Sequence, residues 1–194
     1  MGYPTFNVGD VLTAADMNAV GLWRITNCTV SSAGGTAATA SNGVITIGTG
    51  NTSVTVNNAF SSLYDNYRIE FANSDATGNG NFMYLAFGAA NTQYYGSIYF
   101  DNFNGASTGS TRRDNSTFME VGVSGTDNNT SFAMDIHSPN IATTTTFHGT
   151  YFGGGWSGWF GGQQLSNTQF TSFTISIQAG SFSGGTIRVY GYRN

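Results

Sequence analysis

The sequence predicts an all-β protein: an antiparallel, jelly-roll-like β-sandwich preceded by a short N-terminal arm and helix. Three observations carry this. About ten short segments alternate apolar and polar residues with a period of two, as strands buried on one face do. Asn-Gly and Ser-Gly pairs punctuate them as turns. Beyond residue 24 no helical periodicity follows, and no repeat of fixed length points to a β-helix or propeller.

Residues 1–24 read as an attachment arm. Tyr3, Phe6, Val8 and Val11 form an extended apolar stretch, and a single helix is expected over Leu12–Trp23. Thr13 is its N-cap with Asp16 three residues on, Ala14, Ala15, Met17 and Ala19 favour helix, and Gly21 stops it. Leu12, Val20 and Trp23 give it a sticky face. A helix this short is not stable alone. Tyr3, Phe6, Val8, Val11, Leu12, Met17, Val20 and Trp23 must therefore be buried against the β body or against another chain.

Residues 25–43 are mostly Ser, Ala, Gly and Thr, a linker or a loosely paired first strand. The β domain spans 44–194. Strands are expected at 44–47, 53–56, 67–71, 82–87, 97–100, 118–123, 132–137, 146–152, 170–177 and 186–192. In the ninth, Phe173, Ile175 and Ile177 share one face while Thr174 and Ser176 share the other; half-buried antiparallel strands read this way. Asn42-Gly43, Asn79-Gly80, Asn104-Gly105 and Ser183-Gly184 mark turns.

Composition narrows the function classes. Of 194 residues only 8% are charged and none is lysine, yet 14% are aromatic. The apolar content suffices for a core, so low charge here does not mean disorder. An Asn/Ser/Thr/Gly surface suits a protein largely covered by neighbouring subunits, where unpaired charge is costly to bury. A net charge of −4 offers no general attraction to nucleic acid or to an anionic membrane. The lone Cys28 cannot form an internal disulfide and fits a reducing cytosol. Neither a signal peptide nor a membrane span is visible.

Catalytic and metal signatures are weak, so neither an enzyme nor a cofactor is expected. His137 and His148 lie in or beside strands and match no zinc motif. Gly105-Ala106-Ser107-Thr108-Gly109 matches Gly-x-Ser-x-Gly in form, with Asp135 and His137 downstream, but no helix follows it as a nucleophile elbow requires. Asp114, Glu120, Asp127 and Asp135 are the carboxylates a glycan-cleaving enzyme would need, and they read as turn and solvent-face acids. Asp75 and Asp101 lack the spacing of calcium ligands. The Asn-x-Ser/Thr triplets at Asn51, Asn115 and Asn128 are expected by chance in this composition. Two stretches could bind. Tyr151, Trp156 and Trp159 stand in a glycine frame and could stack on sugars or anchor an interface, or else plug one end of the sandwich. Arg112-Arg113, read as part of a loop, could grip a carboxylate on a neighbouring subunit.

Residues Phe6–Asn18 resemble a phrase near the start of tail-fibre and related virion proteins of tailed bacteriophages. Residues 185–192, Gly-Thr-Ile-Arg-Val-Tyr-Gly-Tyr, are similar to the last strand of phage jelly-roll domains, and residues 64–71 to an early one. The resemblance implies a non-enzymatic virion structural protein, assembled in the host cytoplasm as a homotrimer. The arm would dock on other virion proteins and the C-terminal domain would face outward. The chain has no room for the long shaft of a tail fibre, which leaves a short tail appendage or a capsid-decoration (cement) protein. A host-glycan-binding module is a further expectation.

Overall fold

Period-two alternation governs the architecture. A computed structural model of the chain describes residues 21–105, 107–126 and 130–192, and among these none is helical. Fifteen strands are formed: β1 (Trp23–Arg24), β2 (Thr29–Ala33), β3 (Thr39–Ser41), β4 (Val44–Thr46), β5 (Ser53–Asn57), β6 (Asn66–Ser74), β7 (Phe82–Phe87), β8 (Tyr94–Asn102), β9 (Ser107–Ser116), β10 (Met119–Val123), β11 (Thr130–His137), β12 (Thr145–Gly153), β13 (Trp156–Gln164), β14 (Phe173–Ile177) and β15 (Thr186–Tyr192). They make two antiparallel sheets. The larger runs β3-β4-β15-β6-β11-β12-β13-β8-β9 with β1 also on β15, and the smaller runs β10-β7-β14-β5-β2.

The pairing is nested. β4 pairs with β15, β5 with β14, β6 with β11 and β7 with β10, so the first of these eight strands meets the last and the two middle ones meet each other. Contacts β15·β6 and β14·β7 close each four-strand set. Two long hairpins, β8–β9 and β12–β13, are spliced into this frame and widen the larger sheet beyond β11.

The inward faces fill the core. Tyr67, Ile69, Phe71, Phe132, Met134, Ile136, Ile187 and Val189 from the larger sheet meet Val54, Val56, Met83, Leu85, Phe87, Phe173 and Ile175 from the smaller. Each is worth about 1.5–3 kcal/mol of burial. Phe71 and Phe132 stack at 4.8 Å between ring centroids.

Three expectations need correcting. The arm and the helix expected over Leu12–Trp23 lie outside the described residues up to residue 20, but Trp23 itself is strand, not helix. It pairs with Gly191, and Ile25 N–H donates to Val189 O at 2.9 Å. Of the two alternatives for residues 25–43, linker or first strand, the strand holds in part and the free linker does not: β2 and β3 lie at the edges of the two sheets. At the β3–β4 turn, Asn42 and Gly43 both have positive φ, the two-residue hairpin geometry their side chains permit. Finally, the glycine-framed aromatics belong to a hairpin of two nine-residue strands, β12 and β13, closed by Gly154-Gly155 with φ of 57° and 86°.

That hairpin tolerates glycine for a steric reason. Its inward pairs are Phe147 with Gly162, Gly149 with Phe160, Tyr151 with Gly158 and Gly153 with Trp156. Each large ring thus lies opposite a glycine. A Cβ at Gly158 would sit 2.8 Å from the Tyr151 ring, and one at Gly149 2.6 Å from that of Phe160. The glycines make space for rings rather than flexibility for a loop.

Candidate functional site

Alternation sorts the residues of the two expected binding stretches to opposite sides of the sheet. In β12 and β13, Tyr151 points inward and is buried, and its hydroxyl donates to Tyr99 O at 3.4 Å. Burial first, and the nearby Asp101 second, push the Tyr151 phenol well above its ordinary range. Trp156 also points inward, half-buried, edge-on to Phe100 at 5.7 Å. It lines a hollow at the loop end with Asn79, Asn102 and Asn104. Only Trp159 of the three projects outward, 55% exposed. They cannot act as one surface.

The two arginines separate in the same way, because residues 107–116 form strand β9 and not a loop. Arg112 points outward beside Asp114, Nη2 to Oδ2 3.4 Å. Arg113 points inward, and its Nε donates to Glu120 Oε1 at 2.7 Å while Nη2 donates to the same oxygen. These hydrogen bonds hold the guanidinium pKa above its usual value, more than desolvation lowers it. The Glu120 side chain is fully buried on β10, and its second oxygen has no partner among the described residues. Arg113 also lies 5.0 Å over the Phe118 ring. The pair fastens the β8–β9 hairpin to the frame.

The outward face of the larger sheet is where exposed chemistry collects. Strand register places Arg188, Glu70, Ala133, Thr150, Trp159 and Tyr99 in one row. The next row toward the loops holds Phe152, Ser157 and Asp101. Trp159 stacks on Tyr99 at 5.9 Å and 16°, and Phe152 on Phe103 at 5.4 Å and 24°. Beside Phe152 lies a depression of about 370 Å³ whose lining includes Glu70, Ala72, Ser131, Ala133 and Thr150. Sequence reading named Trp159 but missed Phe152, Phe103, Tyr99 and Glu70. Once β12 is read as a strand, Phe152 next to an inward Tyr151 must face outward.

Nearer the arm the same face carries a polar band. Arg68 Nη1 donates to both oxygens of Asp135, at 3.1 and 3.3 Å, and His137 and His148 stack at 5.7 Å. His137 Nδ1 lies 3.0 Å from Asn66 Oδ1. Ser107 opens β9 from a strand-to-strand turn, unlike a nucleophile elbow. Asp127 and Asn128 lie outside the described residues. Asn51 is buried and donates to the carbonyls of Gly34 and Thr36, so it is structural. Cys28 is buried too, its thiol pushed up to about 11 by desolvation. Among the described residues no three His, Cys, Asp or Glu side chains cluster as a metal site.

Of the expected docking residues, Tyr3, Phe6, Val8, Val11, Leu12, Met17 and Val20 lie outside the described residues. Trp23 is half-buried in β1 at the end of the sandwich where β15 finishes. Four exposed aliphatic side chains share that end: Leu22 before β1, Leu63 in the turn into β6, Ile141 between β11 and β12, and Leu165 after β13. Phe103 and Phe152 lie toward the opposite end, with Trp159 next to them on the outward face. No protein-family model matches the chain, and no curated protein matches it.

Proposed function

We propose that this chain is a non-enzymatic structural protein of a tailed-bacteriophage virion, a short tail appendage docked through residues 1–22, the part of the arm ahead of β1. The observation that carries the reading is the polarity of the sandwich. The arm enters at one end, through β1 laid along β15, and the exposed aliphatic side chains collect at that end. The exposed aromatic side chains Phe103, Phe152 and Trp159 collect away from it. A body held at one end and presenting the other is what an anchored display protein needs.

The nested pairing supports a jelly-roll body. Eight strands in the orders β4-β15-β6-β11 and β5-β14-β7-β10 match the two four-strand sheets expected of that fold, with two hairpins added. Partners are then other virion proteins and two further copies in a homotrimer. The protein is assembled in the host cytoplasm, where the buried Cys28 stays reduced.

Particle incorporation tests this. Deleting residues 1–22 should leave a folded β domain, with unchanged strand content by circular dichroism, that no longer enters particles. Unchanged incorporation would overturn the docking role. Quantified virion gel bands give the copy number: few copies per particle fit a tail appendage, and hundreds fit a decoration protein coating the head. Light scattering of the purified chain should give three times the monomer mass.

A further inference from the structure

We propose that the outward face of β12, β13 and β8 binds a neutral oligosaccharide, with Trp159 and Phe152 as stacking platforms beside the Glu70–Thr150 depression. The proposal adds a ligand to the display reading. It is read on purified protein, so it stands or fails separately from particle incorporation.

Each platform is a held ring. Tyr99 backs Trp159 and Phe103 backs Phe152, both nearly parallel, so little rotamer freedom remains to be lost on binding. The electron-rich face of such a ring attracts the C–H face of a pyranose. Register pairs Thr150 with Trp159 and Phe152 with Ser157, which makes the two rings diagonal neighbours, about 7–8 Å apart at the backbone. Two consecutive sugar units can therefore each meet a ring.

The groups between and beside the rings suit hydroxyls. Thr150, Ser157 and Ser131 can donate or accept, and Glu70 and Asp101 accept. Small side chains, Ala72 and Ala133, leave the depression open to a ring edge. The charge selects against acidic sugars. Glu70 lines the depression with Arg68 3.7 Å away, and Asp101 shares the row of Phe152 and Ser157, so an incoming carboxylate would meet acids of its own sign beside both rings. The rings alternate with hydroxyl side chains, a pattern that matches the apolar faces and rim hydroxyls of a pyranose.

The full chain should be applied to immobilised malto-, cello- and chito-oligosaccharides, with hyaluronan and polysialic acid as acidic probes. The best-retained sugar is then titrated calorimetrically into wild type, Trp159→Ala, Phe152→Ala and Glu70→Gln, with light scattering in parallel. Retention of a neutral sugar is expected, weakened at least tenfold by Trp159→Ala or Phe152→Ala and severalfold by Glu70→Gln, at constant oligomeric state. Glu70→Gln changes no volume, so it reports on binding even if an aromatic variant folds poorly. Four results would overturn the proposal: no neutral sugar retained, preference for the acidic probes, affinity untouched by the variants, or a change of oligomeric state on Trp159→Ala, which would assign the face to a second copy.

Discussion

The nested eight-strand frame and the two spliced hairpins divide the work of this molecule. The frame holds most of the core, and through β15 it holds the base of the arm. The hairpins β8–β9 and β12–β13 carry Tyr99, Asp101, Phe152 and Trp159, with Phe103 at a hairpin tip. Sheet growth beyond β11 therefore adds an exposed face without disturbing the strands that specify the fold. On the display reading proposed above, recognition chemistry can vary on the addition while the anchor stays fixed on the frame.

The largest effect should come from the frame. Phe173 on β14 is fully buried beside Phe60, 5.7 Å between centroids. Phe173→Ala should cost about 3–5 kcal/mol, read as a lower urea midpoint. A loss below about 1 kcal/mol would mean the frame is not the seat of stability.

Next is the joint between the two regions. Arg113→Ala would leave Glu120 buried without its counter-charge, at a cost of about 3 kcal/mol. Replacing both, Arg113→Met with Glu120→Leu, should restore most of that loss. If the single variant unfolds no earlier than wild type, the hairpin is not fastened there.

How much of this was legible follows from the same division. Frame strands such as β14 and β15 announce themselves, since Phe173–Ile177 and Thr186–Tyr192 alternate cleanly and have only one side to bury. The hairpins hide. β13 reads as Trp-Ser-Gly-Trp-Phe-Gly-Gly, which suggests a loop until its partner β12 is known, because the glycines oppose rings on another strand. β9 is nearly all polar, being an edge strand with few side chains to bury, so its Arg112-Arg113 pair looks like a loop. Adjacency in sequence then misleads: Tyr151 with Trp159, or Arg112 with Arg113, are candidates for one site until strand parity puts them on opposite faces. The arm base was legible as apolar, but its pairing with β15 is a long-range contact that no local pattern encodes.

Alkali should probe a second joint between the two regions. Tyr94 on β8 is fully buried and accepts a hydrogen bond from Phe87 N–H on β7 at 2.6 Å. Burial pushes its pKa up to about 12, against that hydrogen bond, and the thiol of Cys28 up to about 11. The folded state thus keeps protons that the unfolded chain releases from about pH 9 for the thiol and about pH 10 for the phenol. This contribution is fully present below those values and is lost as pH rises through 11 and 12. Urea midpoints should fall across that window, and Tyr94→Phe should remove part of the fall while losing the hydrogen bond at neutral pH. A flat profile to pH 12 would show that the hairpin is not held by this phenol.

The smallest effect on stability should come from the outward face of the hairpins. Trp159 is more than half exposed and stacks on Tyr99. Trp159→Ala should lower the unfolding free energy from urea titration by no more than about 0.5–1 kcal/mol, the scale of a single exposed aromatic pair. The nearby inward ring makes the control: Phe160, one residue on, is buried and packs edge-on to Phe132 at 6.3 Å, so Phe160→Ala should cost about 3–5 kcal/mol. Two neighbouring residues of one strand would then differ severalfold in stability cost. The residue that hardly matters to the fold is the one whose exposure needs another reason. Equal losses at the two positions would mean that Trp159 is held by the body like any core ring, and the argument for an outward-facing platform would go with it.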